Sequence, residues 1–132
     1  MIQVARENAL SIEEFRTVLV ESTLGERRPV EEPARLGKML AHANLVVTAR
    51  DESGRLVGVA RSLTDFAYCC YLSDLAVSRE LQKQGIGRRL IEETLRHLEP
   101  GAKLILLAAP AAVDYYARVG FEKHPSAWTR GA

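Results

Sequence analysis

Apolar positions along this chain follow two rhythms, and the change from one to the other falls at a pair of glycines. Upstream, Tyr71-Leu72-Ser73-Asp74-Leu75-Ala76-Val77 reads as a strand. Downstream, Ile86, Leu90, Ile91, Leu95 and Leu98 form the buried stripe of a helix beginning near Ile86. Arg88, Glu92, Glu93 and Arg96 fall on its wet face, with Arg88/Glu92 and Glu92/Arg96 spaced for ion pairs. The connection is Gln82-Lys83-Gln84-Gly85-Ile86-Gly87-Arg88.

The same pattern extends to both ends. Ile2 to Ala5 reads as a short strand, and Ser11 with Glu14 three places later is spaced as a capping box for a helix ending near Gly25. Arg35 to His42 suggests a second helix. Asn44 to Ala49 is a strand, Asp51-Glu52-Ser53-Gly54 a turn, and Arg55 to Leu63 the returning hairpin partner. Thr64 to Tyr68 turns into the strand ending at Val77. After the helix, Leu104 to Ala109 is an apolar run that suggests a strand buried on both faces. Pro110 opens a short helix that Gly120 ends, and Phe121 to His124 with Ser126 to Arg130 make a last strand pair. The order is β-α-α-β-β-β-α-β-α-β-β, an α/β fold with a mixed sheet and helices on both sides.

The chain has 132 residues, 47% hydrophobic and 27% charged, which suits one globular domain spanning residues 1–132. A formal net charge of +1 gives no global field for nucleic acid or a membrane, so an anion must be held by local geometry. No apolar run has the length of a transmembrane helix, and Arg6 and Glu7 interrupt any signal-peptide core, so the expected compartment is the cytoplasm. A homodimer is left open. The two cysteines, Cys69 and Cys70, are adjacent and suggest neither a disulfide nor a metal site. A covalent cysteine mechanism with His42, His97 or His124 as base has no local pattern behind it. The simpler reading packs one thiol in the core and turns the other to the opposite face of a strand.

Two glycines one residue apart, between a strand and a helix, let successive N–H groups and the positive helix end point at one anion. A dinucleotide fingerprint would need glycine or alanine where Leu90 stands, and a phosphate-binding P-loop would need a Gly-Lys-Ser/Thr that the chain lacks. What remains, Gln82-x-x-Gly85-x-Gly87 after a Leu75-x-Val77 strand end, resembles the coenzyme A pyrophosphate loop of the GCN5-related N-acetyltransferase (GNAT) superfamily. Downstream, Tyr115-Tyr116-x-x-x-Gly120-Phe121 is similar to the aromatic-Tyr-x-x-x-Gly-Phe signature of the same superfamily, in the same order.

The resemblance implies an acetyl-CoA-dependent N-acetyltransferase acting on the amine of a small molecule. Main-chain groups of Leu75, Ala76 and Val77 would hold the pantetheine arm, and Gln82, Lys83, Gln84, Gly85, Ile86, Gly87 and Arg88 the phosphates, with Arg89 adding charge. A main-chain N–H near Leu75 would polarise the thioester carbonyl. Tyr116 matches the family's general acid, and Asp74 stands where related sugar-amine and arylalkylamine enzymes carry an acid, which makes it the candidate base. Tyr115 reads as core. Many relatives carry an asparagine just before the short helix; here Asp114 or backbone groups take its place.

Thr23 to Pro33 and Arg61 to Tyr68 correspond to the variable walls of such a fold. Arg27, Arg28 and Arg61 are candidates for a carboxylate or phosphate, and Glu26 and Asp65 for an ammonium. A non-catalytic acyl-CoA-binding regulator would share the loop but leave Tyr116 without a role. A cofactor-free interaction domain would leave the glycine loop and its bases unexplained.

Overall fold

The computed structural model describes all 132 residues, Met1 to Ala132. The strands are β1 (Gln3–Arg6), β2 (Leu45–Arg50), β3 (Leu56–Thr64), β4 (Cys69–Val77) and β5 (Lys103–Ile105). The helices are α1 (Ile12–Ser22), α2 (Pro33–Ala41), α3 (Ile86–Arg96) and α4 (Tyr115–Arg118), with 3₁₀ turns at Leu24–Arg27, Arg79–Leu81 and Pro110–Ala112. The sheet order is β1-β2-β3-β4-β5, antiparallel as far as β4 and parallel between β4 and β5. Parallel neighbours cannot be joined by a tight turn, and α3 supplies the crossover.

Local chemistry sets the boundaries. Ser11 Oγ accepts the Glu14 N–H at 3.0 Å while the Ser11 N–H donates to Glu14 Oε2 at 3.2 Å, a reciprocal cap that starts α1. Its buried residues Phe15, Val18, Leu19 and Ser22 recur at helical spacing. With Leu36 of α2 the apolar ones meet Val46, Leu56, Val59 and Ala76 on one side of the sheet. On the other side Ile86, Leu90 and Ile91 of α3 cover Leu45, Val47, Ala60, Cys70 and Leu72. The adjacent cysteines divide as expected, Cys70 buried and Cys69 exposed.

Four sequence expectations are corrected. Thr94, not Leu95, is buried in α3, and Leu95 is 43% exposed. At about 100° per residue Thr94 lies between Leu90 and Leu98 on the stripe, and its hydroxyl is satisfied by the Leu90 carbonyl at 2.8 Å. Glu93, not Glu92, takes the ion pair with Arg96, at 2.7 Å, because the i,i+3 partner is the nearer one. The strand after α3 is only three residues long and is not buried on both faces: Ile105 is 48% and Leu107 50% exposed, since α1 and α2 do not reach that edge. The last strand pair is not formed, and residues 122–132 are all exposed. Beyond Phe121 that segment offers only Trp128 as a large apolar residue, and Pro125 interrupts it.

Gly58 shows how closely the layers meet. A Cβ there would lie 3.1 Å from Leu90 Cδ1, 3.3 Å from Ala49 Cβ and 3.3 Å from the Ala76 carbonyl oxygen. Alanine in a strand is ordinarily favoured over glycine, but here the crowding should dominate. We expect Gly58→Ala to lower unfolding free energy by about 1–3 kcal/mol, measured by urea denaturation; a stabilised variant would show the α3–sheet contact to be looser than described.

Candidate active site

One inserted residue shapes the site. Arg61 pairs with Asp74 and Ser62 with Leu72, so Ser73 is an extra residue in β4, a bulge opposite the β3 step. Beyond it the β4–β5 pairing has already stopped, since only Cys69, Cys70 and Tyr71 pair with Lys103, Leu104 and Ile105. Leu72 to Val77 therefore borders an open edge. Ser78 donates its N–H to the Val57 carbonyl at 2.9 Å, and hydrogen-bonded positions recur at every second residue of an antiparallel pair. Ala76 and Asp74 consequently turn their amides to β3, while those of Leu75 and Val77 turn to the open edge. Ala76 is thus removed from the main-chain set expected to face a ligand, its side chain lying in the α1-side core.

The loop at the end of this edge is a run of free donors. No backbone N–H from Lys83 to Arg88 bonds a carbonyl of the chain; the first of α3 to do so is that of Arg89, to Gly85 at 3.1 Å. Unpaired N–H groups at a helix terminus are the kind of donors that suit an anion. Gly85, the residue before α3, has φ +83°, and Lys83 also adopts a positive φ of +66°. Gln82 braces the turn through Nε2, which donates to the Val77 carbonyl at 2.8 Å. Arg88 and Arg89 each spend a donor on the fold, Arg88 on the Arg118 carbonyl at 2.8 Å and Arg89 on that of Ile2 at 2.9 Å. Lys83 and Gln84 are exposed, and Ile86 is buried as the first residue of the α3 stripe.

The Arg88 bond ties the start of α3 to α4, and the two tyrosines of α4 diverge from there. Tyr115 reaches the glycine loop: a Cβ on Gly87 would stand 2.6 Å from its hydroxyl. It is therefore more than the core residue the sequence suggests. Tyr116 packs edge-on against Tyr115 at 5.2 Å and Phe121 at 5.5 Å. Burial pushes its phenol above the usual tyrosine range; the Tyr115 phenol adds to this and the Arg28 charge opposes it. Its hydroxyl makes no hydrogen bond within the chain, and the residue is partly buried.

Asp74 does not fit the base role. It is fully buried, and each carboxylate oxygen is engaged, one by Arg28 Nε at 2.5 Å and the other by Arg61 Nε. With both oxygens occupied by guanidinium donors and the side chain fully buried, neither oxygen is free to meet an incoming amine. Arg61 is closed off by further bonds to the Met39 carbonyl and Ser73 Oγ, both at 3.0 Å. Arg28, from the 3₁₀-side of the α1–α2 connection, also donates to the Ser73 carbonyl at 2.7 Å and to that of Arg27 at 2.8 Å. This cluster pins the α1–α2 connection to the bulge. The sequence named its members singly but not together. The signal for the bulge was present: Leu72 and Leu75, three apart, both pack on the α3-side core, which a regular strand cannot do.

The acetyltransferase (GNAT) domain family matches residues 12–130, and the chain belongs to that family. The chloroplastic GCN5-related N-acetyltransferase 2 of Arabidopsis thaliana is 33% identical over 78 residues, 58% of this chain and 30% of that protein. The chloroplastic serotonin N-acetyltransferase 2 of Oryza sativa subsp. japonica is 29% identical over 104 residues, 75% of this chain and 52% of that protein. A GNAT-family acetyltransferase from Streptococcus pneumoniae TIGR4 has the same fold, with a TM-score of 0.78 at 22% identity and 98% of both chains covered. The chain spans about a third of the length of the first curated relatives it matches.

Gly87 and Tyr115 should behave as a coupled pair. Gly87→Ala alone forces the phenol aside, whereas in a Tyr115→Phe background the nearest ring carbon lies at 3.5 Å, an ordinary contact. We expect Gly87→Ala to be more favourable in the Phe background by about 0.5–2 kcal/mol in a double-mutant cycle read by denaturation; additivity would place the Tyr115 hydroxyl elsewhere.

Proposed function

We propose that the protein transfers an acetyl group from acetyl-CoA directly to a primary amine of a small molecule, of aminosugar, arylalkylamine or amino-acid-like type. The observation that carries this reading is the run of unpaired N–H groups from Lys83 to Arg88, opening beside the unpaired edge of β4. A pyrophosphate fits such a cradle, and the amides of Leu75 and Val77 suit the amide-bearing arm that leads from it. Bound acetyl-CoA supplies an activated acetyl thioester. The Leu75 N–H donates to the carbonyl oxygen as charge builds there. The 132 residues act as one catalytic domain, and the compartment we assign is the cytoplasm, whose reducing conditions suit two free cysteines.

Tyr116 serves as the acid for the departing thiol. Its phenol, pushed up by burial, stays protonated at neutral pH and can donate to the sulfur as negative charge develops on it. The amine loses its proton to water, since Asp74 is engaged elsewhere, and the positive charge of Arg28 favours the neutral amine over the ammonium. An acyl-cysteine is not part of the route: burial pushes the Cys70 thiol up, and Cys69 has no histidine partner.

The test is Tyr116→Phe, which keeps the ring packing and removes the proton. With acetyl-CoA and a turned-over amine, kcat should fall about ten-fold to a thousand-fold with coenzyme affinity little changed. The loss should shrink for a donor whose thiol is more acidic. A Tyr116→Phe enzyme with wild-type kcat, measured where chemistry limits the rate, would contradict the assignment.

A further inference from the structure

The Arg28–Asp74–Arg61 cluster holds two guanidinium groups and one carboxylate, and no second carboxylate pairs with either arginine. One positive charge is left over. It belongs to Arg28 by geometry: the Arg61 side chain is 6% exposed with Nε, Nη1 and Nη2 all bonded, whereas that of Arg28 is 22% exposed. Arg28 commits Nε to Asp74, one Nη2 hydrogen to Ser73 and one Nη1 hydrogen to Arg27. A guanidinium carries five donors, so two N–H groups remain, one on each terminal nitrogen. A partly dehydrated cation with unfilled donors is costly unless an anion completes it.

From this, resting on the acetyltransferase reading above, we propose that the acceptor amine carries an oxyanion, a carboxylate or phosphate, and that the two remaining donors of Arg28 bind it. Asp74 and Arg61 are positioning residues for that guanidinium: they fix its plane so that its outer edge presents a fork matched to two oxygens. The bulge contributes the Ser73 carbonyl, which holds a third corner. The position suits an acceptor site, because Arg28 is bonded to Asp74 and to the Ser73 carbonyl, immediately before Leu75, whose amide turns to the open edge. An acceptor without an anion would meet a net positive charge with nothing to offset it. Arg27, by contrast, is exposed, and Arg61 is closed, so the three arginines the sequence offers reduce to one.

The experiment compares matched acceptors that differ by the anion: phenethylamine against phenylalanine for a carboxylate, and glucosamine against glucosamine 6-phosphate for a phosphate. With acetyl-CoA, kcat/KM of wild type should favour the anionic member of at least one pair by about ten-fold or more, and the pair that responds identifies the oxyanion. Arg28→Gln should shrink that ratio by about ten-fold, chiefly through KM, while Arg28→Lys should restore only part of it. Arg61 still pairs with Asp74 in both variants, so the buried carboxylate is not stranded. If Arg28→Gln fails to fold, the wild-type ratios still decide. If no member turns over, calorimetric binding to the acetyl-CoA-loaded protein is compared in the same pairs. Equal values within both pairs, in turnover and in binding, overturn the anion assignment and leave acetyl transfer standing. Failure of every amine, with coenzyme A giving no shift in Tm, overturns both.

Discussion

Backbone hydrogen bonding is the constraint from which this site follows. A sheet normally spends every inward amide on a neighbouring strand. Here β5 stops pairing after Ile105, and Ser73 inserts one extra residue into β4 just beyond the last paired position, Tyr71. The far half of β4 is left with the amides of Leu75 and Val77 unspent. Six further amides follow at the turn into α3. Such groups are completed by water or a ligand, and at a helix terminus they favour negative charge, which is the basis of the proposed coenzyme site.

The rest of the molecule keeps that edge open. The crossover through α3 packs Ile86, Leu90 and Ile91 against one face, and α1 packs Phe15, Val18 and Leu19 against the other, so neither layer needs a sixth strand to hold β4 in place. Arg88 fastens α4 to the beginning of α3. Arg28 fastens the α1–α2 connection to the bulge. Each arginine thus ties a connecting segment to the strand–helix unit that carries the unpaired amides.

What the sequence made legible was whatever depends on spacing. The capping box at Ser11, the stripe of α3 and the glycine loop are local patterns, and each appears close to its expected place. Leu95 was misplaced because hydrophobicity ranks it above Thr94, which holds the buried position with its hydroxyl satisfied within the helix. The apolar run at Leu104 suggested a fully covered strand, but coverage is a property of neighbouring layers. Phe121 to Arg130 carries strand-like residues without the alternation that would bury them. Asp74 was noticed for its position, yet its role depends on Arg28 and Arg61, 46 and 13 residues away. Long-range pairing of that kind leaves no spacing to read.

The unpaired amides of the loop are the feature on which everything functional rests, and they can be observed one by one. In a ¹⁵N-labelled protein titrated with coenzyme A, the backbone amide resonances of Lys83 to Arg88 should shift together and saturably, with Leu75 and Val77 following the same isotherm. Dephosphorylated pantetheine should move the strand amides and leave the loop amides where they were. Loop resonances that stay unchanged at saturating coenzyme A, or shift no more than those of α2, would contradict the cradle and with it the site described above.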